Sequence, residues 1–181
     1  MLPVIDQILW DHPQDLELVH EYDQAPSLEF LIRELYQPDF GRTYLAIQTL
    51  VTQPPATTPA ALFATYEAEA HNDYGAHYHV MKLMGWLQHQ PAYDLLLSAL
   101  NNSAPQFMKS RAAAALALAK LGDDRAIAPL QASTQSEIWM LQYAALMALE
   151  TFGDYSQHPL LAQASDWAVR ARAQQSAAVH A

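Results

Sequence analysis

Four histidines near the middle of this sequence are candidates for chemistry. His71, His77, His79 and His89 fall within one short segment. If that segment is helical, His77 and His79 point about 200° apart and cannot face one metal ion. The His-Glu-x-x-His pattern of zinc peptidases is absent. We therefore expect no metal site, and two roles stay open for these histidines: a polar contact to a ligand, or an ordinary surface or half-buried position.

Aromatic side chains form a second candidate group. Tyr74 and Tyr78 are four residues apart, as are Trp139 and Tyr143, so each pair shares one face of a helix. Trp86 lies two turns beyond Tyr78. Flat rings on a concave face would suit a planar ligand or a partner helix, because they supply large contact area at low entropic cost. The alternative is that these rings fill the core.

Charged residues offer two further possibilities. Arg111 and Arg170 occupy equivalent positions in the repeats described below. Each is expected to bond an Asp or the backbone of a neighbouring helix, although a guanidinium also binds carboxylates in a bidentate manner. The acids between Asp11 and Asp23 are interpreted as a solvated face, since no cleft is indicated around them. Phosphate-binding glycine motifs and the Gly-x-Ser-x-Gly motif are absent.

The composition limits the compartment and the chemistry. The chain has 181 residues and no cysteine, which excludes disulfides, a thiolate nucleophile and a cysteine-based zinc site. The first residues carry acids and no basic region, unlike a signal peptide. The longest apolar run, Ala112 to Ala119, is too short to cross a bilayer. These features predict a cytoplasmic protein without membrane insertion.

The net charge of −10 is unevenly distributed. Residues 1–73 hold 12 acids and 2 bases, whereas residues 74–181 hold 7 of each. An acidic first half argues against nucleic acid and against anionic membranes, since both attract Lys and Arg. It is either a solubilising face or a surface that steers a basic partner.

Two segments of the sequence repeat each other. Arg111 to Gly122 aligns with Gln142 to Gly153 at an offset of 31 residues, and each glycine is followed by Asp. Glycine at such a position ends a helix by adopting the left-handed conformation. Weaker copies begin at Arg42, at Tyr74, which is aligned through Gly85, and near Arg170. Shorter helices are predicted between these copies, at Leu28–Tyr36, Ala60–Ala70, Tyr93–Leu100, Ala126–Thr134 and His158–Ala164.

The repeats predict an all-α fold, an α-solenoid of about five degenerate HEAT-like helical pairs. Each pair has an apolar seam that only stacking can bury. We expect one domain, 1–181, in which residues 1–24 form an acidic N-terminal cap. The repeats are expected at about 25–53, 58–90, 91–123, 124–154 and 155–178.

Three segments carry a family resemblance: Asp73 to Ala76, Phe107 to Ala114 and Ile138 to Glu150. In order and spacing they resemble the HEAT-like repeats of the phycobilisome bilin lyase family, most of all the F-type subunit of the two-subunit (E/F-type) phycobiliprotein lyases. The resemblance covers about residues 60–155. Two positions depart from it, because His77 and Gln142 stand where Arg is expected.

The resemblance implies a lyase subunit, or a lyase-like chaperone, that helps attach an open-chain tetrapyrrole to a cysteine of a phycobiliprotein subunit. The client would supply that cysteine, and isomerisation of the bilin, which needs a cysteine in the lyase, is excluded. The partners implied are a second HEAT-repeat lyase subunit and the client. No tightly bound cofactor is expected, and phycocyanobilin or a related bilin would be a transient ligand.

Catalytic residues are not identified by the sequence. The bilin- or client-binding candidates are Tyr74, His77, Tyr78, Trp86, Arg111, Trp139 and Tyr143. The alternative function is that of a non-catalytic HEAT-repeat adaptor in the assembly or degradation of the phycobilisome or another complex.

Overall fold

The computed structural model describes residues 26–69 and 74–180, and every regular element in these ranges is helical. The chain separates into two compact units, residues 1–58 and 59–181. The single domain with five repeats stays a prediction. The expected acidic cap, residues 1–24, and the candidate His71 lie outside the described residues.

The first unit contains one described helical pair, α1 (Leu28–Leu35) and α2 (Phe40–Thr52). Ser27 is the N-cap of α1 and accepts a hydrogen bond from the Phe30 amide at 3.1 Å. Asp39 caps α2 in the same way, through the Arg42 amide. Buried Glu34 receives two hydrogen bonds from Arg42, at 2.5 and 2.8 Å. This bidentate ion pair holds the end of α1 against the start of α2.

The second unit continues as four further pairs, and α3 begins at the last residue of the first unit. The first helix of each pair is called A and the second B. In chain order these helices are α3 (Thr58–Glu69), α4 (Tyr74–Trp86), α5 (Tyr93–Asn101), α6 (Met108–Leu121), α7 (Ile127–Ser133), α8 (Trp139–Thr151), α9 (His158–Leu161) and α10 (Trp167–His180). Short 3-10 turns lead into α5, α6 and α7.

The B helices of the second unit lie side by side. Helix α6 packs against α4 on one side, α8 on the other and α5 above, and α10 packs against α8 and α9. Nearly all of the alanine-rich segment 112–119 of α6 is buried by these neighbours. The prediction of an all-α fold of stacked HEAT-type pairs is confirmed, and the helices begin within a few residues of the expected positions.

Left-handed residues end three of the B helices. Gly122 and Gly153 have φ values of 69° and 72°, as the sequence predicts. At the end of α4 this conformation belongs instead to Gln88, with φ 50°, whose amide donates to the carbonyl of Gly85 at 3.1 Å. Gly85 itself lies inside α4, so the alignment of this repeat through Gly85 is wrong.

The corrected register of α4 follows from its C-terminal cap. Gln88 corresponds to Gly122, which places the repeats 34 rather than 37 residues apart. His77 then corresponds to Arg111, and Tyr74 to the first residue of α6. The sequence misses this register because glycine and glutamine exchange roles at the end of the helix.

Gly85 is required by packing rather than by its backbone angles. A β-carbon at this position would lie 2.6 Å from the Cα and 2.8 Å from the Cβ of Ala117 on α6. Helices α4 and α6 therefore meet almost backbone to backbone.

Replacing Gly85 by Ala tests this contact, because the contact decides whether the free energy of unfolding rises or falls. In an exposed helix the change would stabilise the fold by about 1 kcal/mol. Here we expect the free energy of unfolding to fall by about 2 kcal/mol, because the added methyl group meets the backbone of α6. Urea denaturation followed by circular dichroism measures the difference, and a more stable variant would contradict the close approach.

Replacing Gln88 by Gly should stabilise the protein by about 1 kcal/mol, because glycine adopts the left-handed conformation without steric cost. Gln53 is the matched control, since it also ends a helix and is exposed but has a φ of −138°. We expect Gln53→Gly to give no gain in the same denaturation experiment. Equal effects of the two substitutions would show that the left-handed conformation of Gln88 carries no steric cost.

Candidate functional site

A groove of about 330 Å³ opens along the B helices α4, α6 and α8. Its floor is formed mainly by apolar side chains, and two lysines and a tryptophan stand at its borders. The lining residues are Lys82, Trp86, Ala113, Leu116, Ala117, Ala119, Lys120, Met147 and Thr151. Because the alanines of α6 are short, the floor is recessed between the longer side chains of α4 and α8.

One face of α4 places three side chains beside this groove. Tyr78, Lys82 and Trp86 follow each other at four-residue intervals, which aligns them along the helix. The Lys82 Nζ lies 5.1 Å from the centroid of the Tyr78 ring and 4.9 Å from that of the Trp86 ring. Both rings attract the ammonium group through cation–π interactions. Lys82 is thereby held at the edge of the groove.

Trp86 and Tyr78 are the predicted binding residues that the structure brings together. Trp86 remains 38% exposed and lines the groove, and Tyr78 reaches it through Lys82. Lys82 and Lys120 are not among the residues that the sequence predicts. The four-residue spacing between two aromatic residues could have identified Lys82 from the sequence. Lys120 could not be identified in this way, because only the packing of α6 against α4 brings it to the same groove.

His77 lies in the core. It has no exposed surface, and its ring is 4.7 Å from that of Tyr66 on α3 and stacks on that of Phe107 at 6.0 Å. A direct contact with a ligand would need surface that His77 does not have. Tyr74 is the first residue of α4, and its side chain lies outside the described part of the structure.

Arg111 has the structural role that the sequence analysis expected for it. Its Nε donates to the carbonyl of Leu100, at the end of the preceding A helix, at 2.9 Å. Gln142 makes the equivalent bond to the carbonyl of Thr134 at 3.3 Å, and Arg170 donates in the same way one pair later. These bonds satisfy helix-end carbonyls that lack an intrahelical partner. Arg111 does not line the groove.

Trp139 and Tyr143 lie on the same helix, α8, but their side chains differ in exposure. Trp139 begins α8 and is 47% exposed, and Trp167 begins α10 and is 73% exposed. Tyr143 packs against a buried cluster that includes Leu146 and Val169. Trp139 does not line the groove, so its part in binding a bilin or a client stays a prediction, whereas Tyr143 contributes to packing.

A polar cluster joins the last two pairs and was not foreseen. Glu150 on α8 accepts hydrogen bonds from Ser176 at 2.6 Å, from Arg172 and from the buried His158, whose Nε2 lies 3.0 Å away. Burial raises the pKa of Glu150, but the hydrogen bonds from Arg172, Ser176 and His158 outweigh it and hold the pKa below its ordinary value. The partners are 8, 22 and 26 residues away, a separation that hides the cluster in the sequence.

Two further classes of site are absent from the described residues, 26–69 and 74–180. No group of three or more His, Asp or Glu side chains there is arranged to hold a metal ion. No helix among those residues has both the length and the apolar character needed to cross a membrane.

The stacked pairs and the groove between their B helices define the class of protein. A family profile described as HEAT repeats matches residues 60–150 and 93–178, and the chain belongs to the HEAT-repeat family.

Two curated proteins are similar to it in sequence. One, named "Uncharacterized phycocyanin operon protein Y", from Pseudanabaena tenuis (strain PCC 7409), is 56% identical over 168 residues, which is 93% of this chain and 40% of that protein. The other, "Bilin biosynthesis protein CpeY" from Synechococcus sp. (strain WH8020), is 36% identical over 163 residues, or 85% of this chain and 39% of that protein. The chain thus spans about two fifths of the length of these relatives.

The Glu150 cluster predicts that the stability of the folded protein depends on pH in the acid range. A lowered pKa contributes stability above the ordinary Glu value of 4.5, and this stability is lost as the pH falls through the folded pKa. Glu150→Gln should lower the free energy of unfolding by about 2–3 kcal/mol at neutral pH and flatten its decline in acid. Exposed Glu137, replaced in the same way, should change neither quantity. An unchanged acid limb in the Glu150 variant would show that the cluster does not stabilise the fold.

Proposed function

We propose that this chain is part of a bilin lyase, or of a lyase-like chaperone, that helps attach an open-chain tetrapyrrole to a cysteine of a phycobiliprotein subunit. The observation that carries the proposal is the groove lined by Trp86 over an apolar floor. The similarity to a protein named for bilin biosynthesis supports it. We further propose that the chain acts with a second HEAT-repeat subunit.

The volume of the groove suits a ligand that is bound only in part and then transferred to a client protein. A volume of about 330 Å³ is at the small end of ligand sites, which range over about 300–1,000 Å³. A tetrapyrrole would therefore be held along part of its length, with the rest accessible to a client. Trp86 offers a flat ring for stacking, and Leu116 and Met147 offer apolar surface beneath it.

The chemistry assigned to this chain is positioning. The chain has no cysteine, so the thiol comes from the phycobiliprotein. In the attachment step that thiol adds across a carbon–carbon double bond of the bilin: a carbon–sulfur bond forms, the thiol proton goes to the neighbouring carbon, and nothing is oxidised or released. Holding the two reactants together converts a bimolecular reaction into a local one.

A second candidate function is that of a non-catalytic adaptor in the assembly or turnover of a protein complex. The observation in its favour is the exposure of large apolar side chains away from the groove: Leu160, Trp139 and Trp167 are 55%, 47% and 73% exposed. Tryptophan is enriched where proteins meet. An adaptor would bind protein without binding a tetrapyrrole.

The discriminating experiment is a visible absorption and fluorescence titration with phycocyanobilin. We expect the natural protein to shift and intensify the bilin band, and Trp86→Ala to bind about tenfold more weakly because the stacking surface is lost. Trp167→Ala is the matched control, since it removes an exposed tryptophan that does not line the groove. No spectral change with the natural protein would favour the adaptor.

A further inference from the structure

The basic side chains of this chain divide into two groups by what they contact. All six arginines have an acceptor within the protein: Arg33 and Arg42 face Glu34, Arg125 faces Asp123, Arg172 faces Glu150, and Arg111 and Arg170 bond backbone carbonyls. The chain has three lysines, and two of them, Lys82 and Lys120, line the same groove. Within the described ranges neither has a carboxylate partner.

Lys82 is held in a way that an ordinary surface lysine is not. It is half-buried, and the Tyr78 and Trp86 rings lie on its ammonium group at 5.1 and 4.9 Å. Fixing a lysine reduces its rotamer freedom, which the cation–π contacts offset. Ring faces are weak acceptors, so the three N–H donors of Lys82 remain suited to a carboxylate.

Lys120 lies on α6, the other helix of this contact, and is exposed. It lies one turn beyond Ala117 on α6, whereas Lys82 lies one turn before Gly85 on α4. Since Gly85 and Ala117 meet closely, the spacing of the two lysines is set by backbone packing rather than by flexible loops. The groove therefore presents one ammonium group held by two aromatic rings and a second, exposed one beside an apolar floor.

We infer that Lys82 and Lys120 are two carboxylate-binding positions, and that the groove selects a flat amphipathic dicarboxylate. The ligand class implied is a linear tetrapyrrole with both propionate side chains free, an identity that rests on the proposed function. Each ammonium–carboxylate hydrogen bond is charge-assisted, and the apolar floor takes the conjugated rings. A small inorganic anion would leave that floor uncovered.

The test compares biliverdin with its dimethyl ester, which has the same rings without the carboxylates. By absorption titration we expect the natural protein to bind the diacid about tenfold more tightly than the ester. Added salt should weaken binding of the diacid and leave that of the ester unchanged. The double variant Lys82→Gln, Lys120→Gln should bind both compounds alike. Lys109→Gln, an exposed lysine on α6 outside the groove, should keep the preference.

Two results would overturn the inference: equal affinity of the natural protein for diacid and ester, or a double variant that keeps the preference. Both leave the proposed function standing, because the bilin still binds. Failure of that function has a different signature, in which the diacid is preferred but no bilin reaches a phycobiliprotein cysteine when client and partner are supplied. Circular dichroism of each variant shows whether the fold is retained.

Discussion

The contact between Gly85 on α4 and Ala117 on α6 is the constraint on which the second unit depends. A β-carbon at Gly85 would come within 2.6 Å of the α6 backbone, so these two helices meet at the shortest separation that their chemistry allows. Ala117 is itself buried and, with Ala113 and Ala119, also lines the floor of the groove. The close packing and the groove thus have one cause, the use of small residues along the central helix.

A second recurring device joins the A and B helices of successive pairs. The side chain at the fourth position of a B helix donates to a carbonyl at or just beyond the end of the preceding A helix, as Arg111, Gln142 and Arg170 do. In the first unit the Thr43 hydroxyl donates to the carbonyl of Glu34 at 3.3 Å. The bond is kept while the residue changes, because a helix-end carbonyl accepts from any donor of suitable length. Gln142 therefore keeps the bond that Arg makes in the neighbouring pairs.

The distribution of charge connects this architecture to the proposed ligand. The arginines pair with acceptors of the protein itself, since a planar guanidinium binds carboxylates and carbonyls well. Two of the three lysines, which carry a compact and more strongly hydrated charge, line the groove. A chain that is acidic as a whole thus presents a local cationic site. Two lysines at one groove are what the proposed dicarboxylate ligand requires.

The sequence by itself determined the helical class, the order of A and B helices and the left-handed caps at Gly122 and Gly153, since these depend on local preference and periodicity. It also placed Trp86 and Tyr78 among the binding candidates. Only the tertiary structure decided that Gln88 rather than Gly85 ends α4, that His77 lies in the core, and that Lys120 joins Lys82 at one groove. It likewise assembled Glu150 with His158, Arg172 and Ser176. These outcomes depend on contacts between helices far apart in sequence, and a repeat pattern indicates that such contacts exist without saying which side chains meet.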